Sequence, residues 1–261
     1  MTEAFFEQEA EDRFVPTGHT QGPWEPGFQH GGPPAALLGR TIGSIDDRDD
    51  MQVARITFEI LAPVPIEPLD VTARVIRPGK RVQLVQASLS TSTREVMRAT
   101  AWRIRTTELD LPEGEADAPP DIPEGGAPPD ELFEVGTDQS YLHAMEWLFV
   151  AGGFVRPGPA VAWVRMRHPL IAGEPISPLT RAVIAVDSGS GISANLDLAE
   201  WLFINPDLTV YLHRLPAGDW IRMASSSVYQ PNGIGLADTL ISDPGGDIGR
   251  SLQSLLVAPR R

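Results

Sequence analysis

The chain has 261 residues, 42% of them hydrophobic, so it can form one large domain or two domains of ordinary size with a sizeable core. A formal net charge of −14 argues against nucleic acid as a partner, because no basic face exists to neutralise phosphates. The absence of cysteine excludes thiol nucleophiles, disulfides and cysteine-bound metals.

The chain begins with an acidic stretch, MTEAFFEQEAEDRF, without the basic and apolar regions of a secretory signal. No stretch approaches 18 uncharged apolar residues, so no membrane span is predicted. We therefore expect a cytoplasmic protein, and the sequence leaves its oligomeric state open, a homo-oligomer included.

The first predicted helix opens at residues 31–34, GGPP, and continues through AALL to about Ile42. It carries little charge around its circumference, which is typical of a helix buried inside a sheet. A β-rich run at residues 56–63, ITFEILAP, follows it. A turn at residues 77–81, RPGKR, and a final strand at residues 96–102, VMRATAW, complete this half.

The next segment, residues 107–136, is dominated by proline, glycine and acidic residues and has no hydrophobic period. Eleven acidic residues lie between Glu108 and Asp138, and no lysine or arginine occurs between Arg105 and Arg156. This composition predicts a linker that is poorly ordered or lies as irregular coil on the surface. It divides the chain into an N-terminal domain, residues 14–106, and a C-terminal domain, residues 137–261.

The second half repeats the elements of the first. Ser177 and Pro178 predict a helix start, and Gly189 and Gly191 predict its end. Three matching segments follow at an offset of 152–153 residues: a β-rich run at 209–216, a turn at 230–234 and a final strand at 248–254. Because this spacing persists over some fifty residues, we interpret it as an internal duplication. A buried helix followed by long antiparallel strands is the element order of a hotdog unit, so the predicted fold class is α+β, a double hotdog.

Several common catalytic machineries are absent from the sequence. Residues 187–191, DSGSG, lack the first glycine of a nucleophile elbow, and neither a P-loop nor a dinucleotide fingerprint occurs. No metal and no organic cofactor are expected, because the five histidines form no i, i+4 pair and no cluster of metal ligands. One of them, His30, has no identifiable partner, and we assign it no chemistry. The five are His19, His30, His143, His168 and His213.

Three segments resemble a known family. Residues 29–38, QHGGPPAALL, are similar to the helix-opening segment of hotdog thioesterases. Residues 205–220, NPDLTVYLHRLPAGDW, and 243–257, DPGGDIGRSLQSLLV, resemble the C-terminal half of the TesB-like double-hotdog acyl-CoA thioesterases. The resemblance covers nearly the whole chain outside the linker and the first dozen residues.

The resemblance implies hydrolysis of acyl-CoA thioesters without a covalent intermediate. A carboxylate, a hydroxyl or amide, and a glutamine hold and activate water in that family. By position these roles fall on Asp187, Asn205 and Gln253. Asn205 departs from the family, whose better-known members carry threonine there, although an amide can also hold water.

The repeat supports this trio independently. Its counterparts in the first half are roughly Ile42 or Gly43, Gln52 and Ala101, so the acid and the amide of the last strand occur in one copy only. The acid also lies at a helix C-terminus, where the helix dipole disfavours an anion, and a broken local rule marks a candidate functional site. Structural roles remain open for the trio: a solvated loop acid for Asp187, an Asx-type turn for Asn205 and a core amide for Gln253.

Two substrate-binding groups are also predicted. Gly31 and Gly32 are candidate oxyanion donors, because Pro33 and Pro34 lack an N–H, and we expect them to meet Asp187 across the interface between the halves. The alternative is that these glycines only permit a tight helix entry. The basic turn of Arg77, Lys80 and Arg81 is a candidate site for the CoA phosphates or else a solvated hairpin tip.

The sequence therefore predicts an acyl-CoA thioesterase of lipid metabolism, in which Asp187 activates water for attack on the thioester. The alternative is a non-catalytic acyl-CoA-binding or scaffolding protein that kept the fold. A hydratase is disfavoured, because that reaction on hotdog folds requires a histidine five residues after the aspartate, where Ile192 stands.

Overall fold

The computed structural model of the protein describes residues 3–110, 112, 122 and 139–260. The first half contains β1 (Phe6–Ala10), β2 (Arg13–Pro16), α1 (Gly32–Ser44), β3 (Met51–Ile60), β4 (Leu69–Arg77), β5 (Val82–Ser90) and β6 (Glu95–Arg105). The second half contains α2 (Tyr141–Ala144), β7 (Met145–Gly153), β8 (Arg156–Met166), α3 (Pro178–Val186), α4 (Gly189–Ile192), β9 (Trp201–Ile204), β10 (Asp207–Leu212), β11 (Ile221–Tyr229), β12 (Ile234–Asp243) and β13 (Gly246–Pro259).

Within the described residues, thirteen strands form one antiparallel sheet. Its order is β1-β2-β4-β5-β6-β3-β10-β13-β12-β11-β8-β7, with β9 paired to β13 outside this path. The second half of this order, from β10 to β7, is the first half in reverse: β10, β13, β12, β11, β8 and β7 correspond to β3, β6, β5, β4, β2 and β1. The sheet therefore has an internal two-fold symmetry, and its axis lies between β3 and β10.

The register of β3 against β10 gives the position of this axis. Thr57 pairs with Thr209, and the Thr209 hydroxyl donates to the Thr57 hydroxyl at 3.1 Å. On either side, Arg55 pairs with Tyr211 and Glu59 pairs with Asp207. An offset of 152 residues, as in the sequence repeat, relates Arg55 to Asp207 and Glu59 to Tyr211, so it converts each of these two pairs into the other. The two halves therefore join as the two subunits of a symmetric dimer would.

The two long helices lie inside the curved sheet and pack against each other. Pro33 and Pro34 occupy the first turn of α1, and Ser177 caps α3 by accepting the Thr180 N–H at 3.1 Å. A Cβ at Gly32 would lie 2.4 Å from the carbonyl oxygen of Ile184, whereas one at Gly43 would contact Leu179 at 3.6 Å. The helices are therefore antiparallel, with the start of α1 against the end of α3.

The α+β, double-hotdog architecture predicted from the sequence is confirmed. The domain boundaries, residues 14–106 and 137–261, remain a prediction. β1 and the first residue of β2 precede residue 14; β1 pairs with β2, and Phe6 also bridges to Ile171 of the second half. Most of the predicted linker lies outside the described residues. None of the described helices is long and apolar enough to cross a membrane.

We predict that the stability of the fold depends on the buried faces of these helices. Leu38 of α1 is fully buried, so Leu38→Ala should lower the free energy of unfolding by about 2–5 kcal/mol through lost burial and a residual cavity. The matched control is Leu236→Ala on β12, whose side chain is 43% exposed and which should cost less than about 1 kcal/mol. Denaturant unfolding measures both, and equal losses would contradict the assigned core.

Candidate functional site

A cavity of about 420 Å³ lies between the two halves at the end of β3. Its lining comes from residues 22–31, the segment after β3, the end of α3 and the β9–β10 connection. Two of the described lining residues are acidic, Glu25 and Asp187, and Asp187 alone is buried. The walls are otherwise mainly apolar, with side chains that include Trp24, Phe28, Leu142, Phe154, Leu198 and Phe203.

Asp187 is the C-terminal cap of α3, and its side chain is directed into this cavity. Its backbone keeps a helical conformation, and the next residues turn into the short helix α4. Gly189 lets this segment lie close to the sheet, because a Cβ there would be 2.4 Å from the Thr239 hydroxyl and 3.3 Å from Oε1 of Gln253. The carboxylate is thereby held between α3 and the inner face of β12 and β13.

One carboxylate oxygen of Asp187 is held by two amides. Asn205, from the β9–β10 connection, donates through Nδ2 to Oδ1 at 2.9 Å. Gln253, buried on β13, donates through Nε2 to the same oxygen at 3.3 Å and to the Asp187 carbonyl at 3.1 Å. The Gln253 Oε1 accepts the Ser190 N–H at 3.1 Å, which fixes the orientation of this amide. The structure thus brings the predicted trio together.

The other carboxylate oxygen, Oδ2, faces the first half of the chain. It lies 3.2 Å from Nδ1 of His30, and a Cβ at Gly31 would lie 2.7 Å from it. The Gly31 N–H has no acceptor among the described residues, whereas the Gly32 N–H donates to Nδ1 of His30 at 3.0 Å. Both predicted glycines therefore lie beside Asp187, and in this state the Gly31 N–H is the one left free.

His30 is the residue of this site that the sequence did not identify. Its ring stacks on Tyr141 with the ring centroids 3.8 Å apart, and the Tyr141 hydroxyl donates to the Ile184 carbonyl at 2.8 Å. Burial lowers the pKa of His30, although the charge of Asp187 acts in the opposite direction. The pattern offered only one signal, namely that His30 directly precedes the glycines at the helix start.

The inner face of the sheet differs between the halves in a way that marks this site. On the β-strands behind Asp187, the second half carries polar residues where the first half carries alanine at the same symmetry position. At the offset of 152 residues, the pairs are Ser225 and Ala73, Thr239 and Ala87, Ser251 and Ala99, and Gln253 and Ala101.

The symmetry-related cavity, about 460 Å³, lies where α1 ends and α3 begins. Its residue Glu174 is bound by the Arg40 guanidinium through two contacts of 2.6 and 2.8 Å. This carboxylate is neutralised by an arginine rather than held by amides. The two cavities therefore differ in chemistry, although the fold relates them.

The basic turn lies away from the cavity. Arg77 ends β4, and Lys80 and Arg81 follow in the turn before β5, level with the start of β3. The cavity adjoins the other end of β3, nine residues away or about 30 Å along an extended strand. The structure therefore does not bring these three residues to Asp187. At the cavity itself, Arg260 donates to the carbonyl of the wall residue Trp24 at 3.2 Å.

Two histidines that the sequence left unpaired meet elsewhere in the fold. Nε2 of His19 and Nε2 of His168 each lie 3.7 Å from the same carboxylate oxygen of Glu3. The two rings are stacked, with centroids 4.3 Å apart and planes inclined by 25°. Lone pairs in two such planes do not converge within the ~2.0–2.1 Å of a zinc–nitrogen bond, so this geometry does not fit a shared metal ion.

Comparison with known proteins gives the family. A family model described as acyl-CoA thioesterase C-terminal domain matches residues 115–257, and one described as acyl-CoA thioesterase N-terminal domain matches residues 20–104. No curated protein is significantly similar to the chain.

Solved structures match over nearly the full length. A proposed thioesterase II from Thermobifida fusca is 19% identical at a TM-score of 0.75, with 99% of this chain and 98% of that chain covered. A conserved hot dog fold protein from Alicyclobacillus acidocaldarius is 14% identical at 0.72, with 98% and 96% covered. Acyl-CoA thioesterase II TesB2 from Mycobacterium marinum is 17% identical at 0.65, with 98% and 95% covered. At these identities the likeness shows the fold.

The two family models match the two halves of the chain in order, and the C-terminal model alone covers more than half of its length. The chain therefore belongs to the acyl-CoA thioesterase family that these two models describe, with a double-hotdog fold.

Proposed function

We propose that the cavity between the two halves is the active site and that Asp187 activates water there to hydrolyse an acyl-CoA. The main support for this proposal is that the two carboxylate oxygens of Asp187 have different hydrogen-bond contacts. Oδ1 accepts from Asn205 and Gln253, whereas Oδ2 accepts no amide N–H among the described residues and lies on the Gly31 side, 2.7 Å from where a Cβ of residue 31 would be. One oxygen is thus held in place, and the other is available as a base.

The hydrolysis needs no covalent enzyme intermediate. Oδ2 of Asp187 takes a proton as the water oxygen forms a bond to the thioester carbon, and the carbonyl oxygen becomes an oxyanion. The Gly31 N–H at the start of α1 is the donor proposed for that oxyanion, with Gly32 next to it. The carbon–sulfur bond then breaks and sulfur keeps the electron pair. Asp187 gives up the proton it took, and the products are the free acid and CoA.

The surroundings of Asp187 support this role. An anion at a helix C-terminus is disfavoured by about 0.3–1 kcal/mol, and amide donors to its oxygen offset that cost. The apolar walls, among them Phe28 and Leu142, suit an acyl chain next to the carboxylate. The proposal extends to cytoplasmic lipid metabolism, in line with a chain that has no cysteine.

The CoA phosphates remain a separate part of the proposal. Assignment to Arg77, Lys80 and Arg81 requires the CoA to extend from the cavity to the far end of β3. Arg260 lies closer to the cavity, over the ring of Trp24, and is the nearer cation for a phosphate at the mouth.

We predict that Asp187→Asn lowers kcat by about 10²–10⁴-fold with little change in KM, because asparagine keeps the size and hydrogen bonding of the side chain but cannot take a proton. Release of free thiol from a panel of acyl-CoAs measures the rate. Asp219→Asn, a change of the same kind at a 67% exposed position, should leave kcat unchanged. A folded Asp187→Asn protein with wild-type kcat would retire the mechanism.

We predict that a methyl group at Gly31 also disables the site. In Gly31→Ala the added Cβ would lie 2.7 Å from Oδ2 of Asp187, so either the carboxylate or the helix start must shift. Gly39→Ala is the matched control in the same helix, because its Cβ would meet only Val183 at an ordinary 3.7 Å. Activity should fall by at least about 10²-fold in Gly31→Ala alone. Equal activity of the two variants in thiol-release assays would show that the close contact between Gly31 and Asp187 is not needed for activity.

A further inference from the structure

His30 contacts both a donor and a carboxylate through one ring nitrogen. Nδ1 lies 3.0 Å from the Gly32 nitrogen and 3.2 Å from Oδ2 of Asp187. Because Nδ1 accepts the Gly32 N–H, it carries no proton, and the neutral ring holds its proton on Nε2. Burial lowers the pKa of His30 against the opposite effect of Asp187, which favours the neutral ring, and the stack on Tyr141 fixes the orientation of the ring.

The opposite edge of the ring is available to substrate. His30 lines the cavity, and its Nε2 has no hydrogen-bond partner among the described residues. Tyr141 cannot turn away from the ring, because its hydroxyl is bound to the Ile184 carbonyl and lies 2.9 Å from the Ser188 hydroxyl. The ring is therefore fixed with Nδ1 on the carboxylate side, and Nε2 is its unpaired polar atom.

We propose that His30 is a catalytic residue that passes a proton from Asp187 to the sulfur of the departing CoA. This inference rests on the proposed function, in which Oδ2 receives the proton of the attacking water. The Gly32 N–H passes from Nδ1 to the oxyanion, which frees the Nδ1 lone pair. The proton then moves from Oδ2 to Nδ1 while the proton on Nε2 moves to sulfur as the carbon–sulfur bond breaks. Asp187 returns to its ionised form, CoA leaves as the thiol, and exchange with solvent removes the proton from Nδ1 and returns one to Nε2.

Two described side chains face the His30 ring, and only one of them can exchange a proton with it. Asp187 faces it from the end of α3, and Tyr141 faces it from α2. Burial raises the pKa of Tyr141, which therefore stays a neutral phenol over the working pH range. Among the described residues, no other charged group in contact with the ring competes for the transferred proton.

The experiment compares two leaving groups in the full-length enzyme. His30→Asn keeps an oxygen near the Nδ1 position to accept the Gly32 N–H, but it has no group at Nε2 and cannot relay a proton. The substrates are an acyl-CoA, whose alkyl thiolate is strongly basic, and the S-aryl thioester of the same acid, whose aryl thiolate leaves without protonation. His213→Asn, at an exposed histidine outside the cavity, controls for the substitution itself.

We expect His30→Asn to lower kcat on the acyl-CoA by at least about 10²-fold and on the aryl thioester by only a few-fold, because only the first leaving group needs the acid. Asp187→Asn should lose activity on both, since both need activated water. An equal loss on both thioesters, or no loss on the acyl-CoA, would overturn the relay.

Failure of the underlying function has a different signature. A wild-type enzyme inert toward both thioesters, or an active Asp187→Asn variant, would remove the proposed mechanism and the relay with it. If His30→Asn does not fold, as judged by its thermal unfolding, His30→Gln replaces it. Glutamine can reach the Nε2 position but cannot pass a proton between two sites, so the same difference between leaving groups is expected.

Discussion

The pairing of β3 with β10 is the contact on which the arrangement of the site depends. Its register is symmetric about Thr57 and Thr209, so each half is placed on the other by a two-fold rotation. That rotation makes α1 and α3 antiparallel and brings Gly31 to Asp187. A slip of β3 by one residue would exchange its buried and exposed faces and would also separate the helix ends. The strand register thus determines the distance between Asp187 and the start of α1.

The duplicated halves have diverged on their inner faces. Polar residues stand behind Asp187 where the first half keeps alanine, and the hydroxyls of two of them pair with each other. The Ser225 and Thr239 hydroxyls lie 2.8 Å apart, as do those of Ser193 and Ser227. A buried polar cluster is tolerable only when its members are paired in this way. Within the described residues, the site at Asp187 is therefore polar and lined by amides, whereas the symmetry-related cavity contains the Arg40–Glu174 ion pair.

The sequence alone predicted the elements that follow local rules. The helix start at Ser177 and Pro178 and the 152-residue spacing depend on neighbours in the chain or on the repeat. The carboxylate was identifiable because it stands against the helix dipole and has no acidic counterpart in the other half. Its amides followed from the resemblance. Their convergence on one oxygen could be seen only in three dimensions, because 66 residues separate Asp187 from Gln253.

What the sequence could not predict depends on contacts between distant residues. The partners of His30 are Tyr141 and Asp187, and no local pattern links a lone histidine to them. The basic turn at Arg77 was chosen by its density of charge, but charge density does not specify which end of a strand a turn occupies. Antiparallel strands place successive turns at opposite ends of the sheet, so a single residue count cannot assign a turn to the cavity.

The antiparallel helices also explain why an anion is tolerated where the local rule opposes it. Asp187 lies at the negative end of α3, but the symmetry places the positive end of α1 beside it, and each dipole contributes about 0.3–1 kcal/mol. During the proposed reaction, negative charge leaves Asp187 as it takes a proton and appears on the carbonyl oxygen near the Gly31 N–H. The charge therefore moves from the unfavourable end of one helix to the favourable end of the other. Both fields are present before the substrate binds, so they favour the transition state over the ground state without reorganisation.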